Sequence, residues 1–214
     1  MPWSDHVLDA LLPTACFLCG DTAGAHPHFR RLCDRCASGL HTTIWPLPYA
    51  PEFVSCAWAL GPYEGDAGEL IRIIKYGRHP GLLDEIAEHL AHAARSTLPR
   101  VDLVTWAPSS PARSRMRGFT PAEHLAKALA KAIGRPARAL FRLDEGPALA
   151  SLNAGARKAV LIGRLHLHCV EPPPVLVVVD DVLTSGSTLS TCARRLLNAG
   201  ARTVYGLTWA AATR

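Results

Sequence analysis

Two groups of residues in this 214-residue chain carry more chemistry than packing requires. The first is a pair of C-x-x-C motifs, Cys16-Phe17-Leu18-Cys19 and Cys33-Asp34-Arg35-Cys36, separated by thirteen residues. Soft thiolates at this spacing clamp a tetrahedral zinc ion from two sides. Gly20 follows the first pair, where a knuckle turn calls for a residue that tolerates positive φ. Four thiolates complete a closed structural site, so His26, His28 and His41 read as loop histidines. Cys56, Cys169 and Cys192 fall in predicted strands or helices and read as small core residues. Arg30, Arg31 and Arg35 leave open a contact between this module and nucleic acid, without an aromatic-basic stripe to stack single strands.

The second group is Val177-Val178-Val179-Asp180-Asp181-Val182-Leu183-Thr184-Ser185-Gly186-Ser187-Thr188. Two carboxylates end a β-branched run, and a turn of small residues then opens a helix. In open α/β sheets that crevice, beyond the carboxyl ends of the strands, is where ligands bind. Thr184, Ser185, Ser187 and Thr188 offer hydroxyls, Gly186 permits close backbone approach, and the unpaired N–H groups of a helix start favour an anion. A phosphate suits the turn. Asp180 and Asp181 would repel phosphate oxygens, so they need hydroxyl donors or a metal ion as partners; a ribose phosphate supplies both features. Neither G-x-x-x-x-G-K-[ST] nor G-x-G-x-x-G occurs, which argues against a nucleoside triphosphatase or a dinucleotide enzyme.

The elements that must hold these groups alternate along the chain. Residues 3–12 predict a short helix, 16–36 a turn-rich segment, and the prolines of 45–51 an extended linker. A boundary near residue 50 separates residues 1–50 from a larger domain, 51–214. Within the latter, strands are predicted at 54–60, 101–107, 137–143, 175–179 and 203–208. Helices are predicted at 67–76, closed by a left-handed Gly77, at 82–97, at 121–133, and at 187–199, closed by Gly200. The run Val175-Leu176-Val177-Val178-Val179 predicts a strand covered on both faces, and the alternation implies a parallel, helix-covered sheet. Residues 145–158, rich in glycine and proline, predict a mobile lid carrying Arg157 and Lys158.

Composition is that of a globular protein, 49% hydrophobic and 19% charged, with a net charge of +5 spread along the chain. No uncharged apolar run is long enough to span a bilayer, and the first residues lack the pattern of a signal peptide, so a cytoplasmic protein is expected. Of seven cysteines, four fall in two C-x-x-C pairs, which favours metal binding over a disulfide framework.

The segment 179–184 closely resembles the phosphoribosyl diphosphate (PRPP) signature of type I phosphoribosyltransferases. Together with the two C-x-x-C pairs, Ile74-Lys75-Tyr76, Ala107-Pro108-Ser109-Ser110 and Arg117-Gly118-Phe119, it resembles the ComF family, which joins a cysteine-rich zinc module to that domain. The family usually continues arginine-glycine-aromatic with asparagine and glutamine, where this chain has Thr120-Pro121, and a glutamine usual near 148–152 is absent.

The resemblance implies transfer of a phosphoribosyl group to a nitrogen acceptor with loss of pyrophosphate, with Mg2+ carried in on the diphosphate. Thr184 to Thr188 would anchor the 5′-phosphate of PRPP or a nucleoside monophosphate, and Asp180 and Asp181 the ribose hydroxyls. Ser109, Ser110, Lys75 and Arg117 would meet the diphosphate, with Arg157 on the lid. Two alternatives stay open: a PRPP-sensing regulator, and a non-catalytic competence or DNA-processing factor that meets single-stranded DNA or a helicase partner.

Overall fold

The computed structural model of the chain describes residues 14–212, except 25, 78, 147–158, 161, 169 and 170. The predicted N-terminal helix, Cys169, and most of the predicted lid with Arg157 and Lys158 lie outside the described residues.

In chain order the elements are α1 (Asp34–Ser38), β1 (Trp45–Pro46), β2 (Cys56–Pro62), α2 (Asp66–Gly77), α3 (Pro80–Ala94), β3 (Leu103–Trp106), α4 (Pro111–Arg117) and α5 (Pro121–Ile133). They continue with β4 (Phe141–Leu143), β5 (Leu165–Leu167), β6 (Val175–Leu183), α6 (Ser187–Asn198) and β7 (Thr203–Ala211). The main sheet has the order β1-β2-β7-β6-β3, with β2, β7, β6 and β3 parallel and β1 antiparallel on the edge. This is the mixed α/β architecture that the alternation predicts.

Side-chain alternation along β6 explains the layering. Val177 and Val179 join a core with Leu70, Ile74, Leu83, Ile86, Leu125 and Leu129 from α2, α3 and α5. Leu176 and Val178 face the other way, into a core with Leu189, Cys192 and Leu196 of α6 and Phe141, Leu143 and Leu165 of the β4–β5 ribbon. Both faces are dry, and each fully buried leucine or valine contributes about 2 kcal/mol, which fixes β6 firmly.

The cysteine-rich segment does not stand apart. Cys16, Phe29, Leu32, Cys33 and Ala37 belong to the same apolar cluster as Leu70, Ile71, Ile74 and Leu82. Arg31 pairs with Glu85 of α3 at 2.5 Å, and the Phe17 ring lies 4.4 Å from that of His79. Buried His89 of α3 donates from Nε2 to the His41 carbonyl at 2.8 Å.

The structure departs from the sequence expectation in several elements. Trp45–Pro46 pairs with Trp58 and Ala59 rather than running free, a place that proline tolerates because an edge strand needs few donors. The strand expected at 137–143 shortens to Phe141–Leu143 and leaves the main sheet to pair with Leu165–Leu167, while Ala137 keeps one bridge to Val104. Gly77 is the last residue of α2 and is not left-handed, whereas Gly20 (φ 80°) and Gly200 (φ 107°) are. Helix α4 buries no residue, so it carries no apolar periodicity to read. Among the described residues no helix is long and apolar enough to cross a membrane.

Candidate functional site

The site begins where two neighbouring strands part. β3 pairs with β6 up to Trp106 opposite Val179, and the Ala107 N–H still donates to the Val179 carbonyl at 2.9 Å. Beyond that point β6 continues against β7 to Leu183, while the chain after β3 turns away through Pro108, Ser109 and Ser110. A cleft of about 330 Å³ opens in the gap. One wall is Asp180, Asp181, Thr184 and Thr188; a second is Ser109, Ser110, Arg113 and Arg117; a third is Tyr63, Arg72, Lys75 and Tyr76.

The charges in this cleft are interlocked. Lys75 Nζ, from the last turn of α2, lies 2.9 Å from Asp181 Oδ1, and the two side chains are only 21% and 15% exposed. Arg117 donates from Nε to the Lys75 carbonyl at 3.1 Å, tying α4 to the end of α2. Burial lowers the Arg117 pKa, and attraction to Asp181 opposes that shift. Half-buried Asp180 is pushed up to about 7, first by desolvation and then by repulsion from Asp181. The Asp181 N–H, donating to Asp180 Oδ1 at 2.8 Å, and the charge of Lys75 act against the rise. Near neutrality Asp180 therefore exchanges a proton readily, which suits a group meeting hydroxyls that both donate and accept.

The turn into α6 is built from small residues for local reasons. Gly186 has φ 73° and caps the helix; a Cβ there would come within 2.8 Å of Pro51 Cγ, so the position demands glycine twice over. Ser185 and Ser187 hydroxyls lie 3.0 Å apart, and Ser187 offers its carbonyl to Thr191 Oγ1 at 2.7 Å. Residues 183–189 enclose a recess of about 30 Å³, which shares Asp180, Val182, Thr184 and Thr188 with the larger cleft. The first N–H groups of α6 have no acceptor within their own helix, so they can face an anion in the recess.

The four cysteines converge in the N-terminal segment. The Sγ atoms of Cys16, Cys19, Cys33 and Cys36 all lie within 4.8 Å of one another, with Cys19 and Cys33 at 3.6 Å. Tetrahedral Zn–S bonds of about 2.3 Å place sulfurs about 3.8 Å apart, so the set fits a zinc ion. Burial works to raise the Cys16 thiol, but N–H groups of Cys33, Cys19 and Leu18 directed at its sulfur outweigh that and lower it to about 6. This pre-formed N–H cage favours a thiolate, the form that binds metal.

Of the residues that the sequence nominates, Lys75, Ser109, Ser110, Arg117, Asp180, Asp181, Thr184 and Thr188 line the cleft, and Ser185, Gly186 and Ser187 line the adjoining recess. Tyr63 and Arg72 were not nominated. The Arg72 guanidinium stacks 5.2 Å from the Tyr63 ring centroid, and no local pattern marks the pair. Tyr76, 78% exposed beside Lys75, does carry a signal, since an exposed aromatic ends the Ile74-Lys75-Tyr76 motif. The arginines of the cysteine-rich segment are engaged: Arg31 with Glu85, Arg35 with Asp21 at 2.9 Å.

No family model matches the sequence. The chain is 30% identical over 196 residues to the DNA utilization protein YhgH of Salmonella typhi, an alignment that covers 88% of this chain and 80% of that protein. Among solved structures, a hypoxanthine phosphoribosyltransferase from Staphylococcus aureus is similar at 14% identity over 59% of this chain and 61% of that one, with a TM-score of 0.33. A likeness that weak carries no argument.

Proposed function

This chain belongs to the ComF family, and on that premise we propose that it binds PRPP in the cleft at the end of β6 and transfers the phosphoribosyl group to a nitrogen acceptor. The observation that carries the reading is the meeting of two acids, a hydroxyl-rich helix start and four cationic side chains, Arg72, Lys75, Arg113 and Arg117, around one cleft. No single element of that set is specific; their convergence from four separate segments is.

In this reading the recess formed by Thr184 to Thr188 takes the 5′-phosphate, where α6 offers N–H groups. Asp180 and Asp181 hold the ribose diol and so fix C1 in the cleft. Lys75 and Arg117, with the hydroxyls of Ser109 and Ser110, face the diphosphate. As the C1–O bond breaks and the acceptor nitrogen bonds to C1, these cations meet the charge that gathers on the leaving pyrophosphate. Mg2+ bound to the diphosphate would neutralise part of the same charge. The four thiolates suit a structural zinc ion, which would add folding energy to a turn-rich segment that also packs its Phe29 and Leu32 into the main core.

Thr120 and Pro121 bear on the acceptor side. Thr120 is the N-cap residue of α5 and shares a hydrogen bond with Ser114 at 3.2 Å, so a helix start stands where the resemblance implies amide side chains. This favours a second reading in which PRPP is bound but not consumed, within a DNA-processing role of the kind the relative's name describes.

Calorimetry with PRPP and Mg2+ tests the common element. Asp180→Asn with Asp181→Asn should abolish the heat of binding while the melting transition persists; unchanged PRPP affinity in that variant sinks both readings. Pyrophosphate release across a panel of bases and amines then separates transfer from sensing.

A further inference from the structure

A second cleft, of about 390 Å³, lies at the opposite end of β3 from the first. Val101 precedes β3 and Ala107 follows it, so the length of a strand, about 20 Å, separates the two. Exposed Arg95 and Arg100 and half-buried Arg135 stand at its rim, while buried Val101 and half-buried Leu98 and Ile133 form its floor. Arg95 is the C-cap of α3, Arg135 follows the left-handed Gly134 that ends α5, and Arg100 sits in the loop before β3. Among the described residues none of these guanidinium groups has a carboxylate partner, and no acidic residue lines the cleft.

We propose that this cleft binds a nucleoside 5′-triphosphate, with the phosphate chain on the three arginines and the nucleoside on the apolar floor. A concave site of this size, apolar below and with a few convergent polar groups above, is the usual form of a small-molecule site.

Charge density selects the kind of anion. Three guanidinium forks around one opening are matched by three or more charges held within it. A triphosphate chain brings those charges in one compact group, whereas phosphodiesters space single charges along a polymer. The floor argues against a purely inorganic oligophosphate, because a hydrated ion gains nothing from Leu98, Val101 and Ile133. The backbone sets the orientation. The last carbonyls of α5, at Ala132 and Ile133, have no N–H partner within their own helix. They repel a phosphate placed deep in the cleft and accept from the amino and hydroxyl groups of a nucleoside. The nucleoside therefore enters and the phosphates stay at the rim. With no phosphate-binding glycine run and no acid in the lining to hold a metal or activate water, the nucleotide is bound rather than hydrolysed. The inference goes beyond the PRPP reading and does not depend on it.

The test is calorimetry of the full chain with ATP, inorganic triphosphate and adenosine, in the absence of Mg2+. Wild type should bind ATP, bind triphosphate at least tenfold more weakly, and give no heat with adenosine. Arg95→Gln, Arg100→Gln and Arg135→Gln should each weaken ATP binding about tenfold, for one charge-assisted contact apiece, and leave PRPP affinity as in wild type. Asp180→Asn with Asp181→Asn should keep ATP binding intact, which separates this site from the cleft at the end of β6. The proposal is overturned by a wild type that binds no ATP, by arginine variants that bind it as wild type does, or by its loss in the aspartate variant. Inorganic triphosphate binding as tightly as ATP, or an oligothymidylate that displaces ATP at equal phosphate concentration, would overturn it too.

Discussion

Lys75 is the residue whose removal tests the electrostatics of the cleft most directly. Lys75→Met keeps the length of the side chain and deletes its charge, leaving Asp180 and Asp181 adjacent with no ammonium beside them. At 2.9 Å, with side chains about four-fifths buried, the Lys75–Asp181 pair lies between a surface bridge and a fully buried one. Its loss should cost about 2 kcal/mol of stability, above the surface median and below the 3–5 kcal/mol of a fully buried break. The sign of the pH dependence follows from Asp180, whose folded pKa of about 7 lies above its unfolded value of 3.8. A raised acid stabilises the fold below the unfolded pKa and loses that contribution as pH rises through the folded one. Without Lys75 the acid pair holds its proton to still higher pH, so the penalty of Lys75→Met must grow from about pH 5 to about pH 8. Urea denaturation at both pH values, completed as a double-mutant cycle with Asp181→Asn, measures it. A penalty that does not vary with pH, or a coupling within about 0.3 kcal/mol of zero, would refute this account of the cleft.

Other substitutions probe the remaining parts. Gly186→Ala forces a left-handed residue and a 2.8 Å approach to Pro51, so it should cost about 1–2 kcal/mol and weaken PRPP binding, both measurable on one sample by thermal shift with and without ligand. Burial lowers the pKa of His89, so the fold keeps it neutral; stability should be full above the unfolded value near 6.5 and fall as pH drops below it. His89→Gln, which retains a donor for the His41 carbonyl, should flatten that acid limb of the melting profile. Cys33→Ser should lower zinc content, loosen residues 16–36 to proteolysis and, because Cys33 shares an apolar cluster with Ile74 and Val177, lower the melting temperature of the sheet as well; full zinc retention would argue against a four-thiolate centre.

What could be read in advance was local. The β6–turn–α6 unit announces itself through a β-branched run, paired acids and small hydroxyl residues within a dozen positions, and α5 through leucines at helical spacing. The cysteine cluster was equally plain. Pairings between distant segments were not: Lys75 meets Asp181 across 106 residues, and nothing at either position names the other. Trp45–Pro46 becomes a strand only because β2 offers an edge, and Leu165–Leu167 only because Phe141–Leu143 leaves the main sheet to meet it. Polar α4 is set by Ser110 accepting from the Arg113 N–H at 3.4 Å and by left-handed Gly118, signals too short to stand out in so basic a stretch.

Ile74 and Lys75 are neighbours on a single turn of α2, yet they look in different directions. Ile74 is embedded in the apolar cluster that also holds Phe29, Leu32 and Cys33, while Lys75 reaches the acids of the cleft. A helical turn transmits displacement instead of absorbing it. A shift of the four-cysteine segment would therefore be felt at Lys75, and a pull on Lys75 would be felt among the cysteines. By thermodynamic reciprocity, whatever a metal at the four cysteines would do to anion binding in the cleft, an anion there would do to metal binding in equal measure.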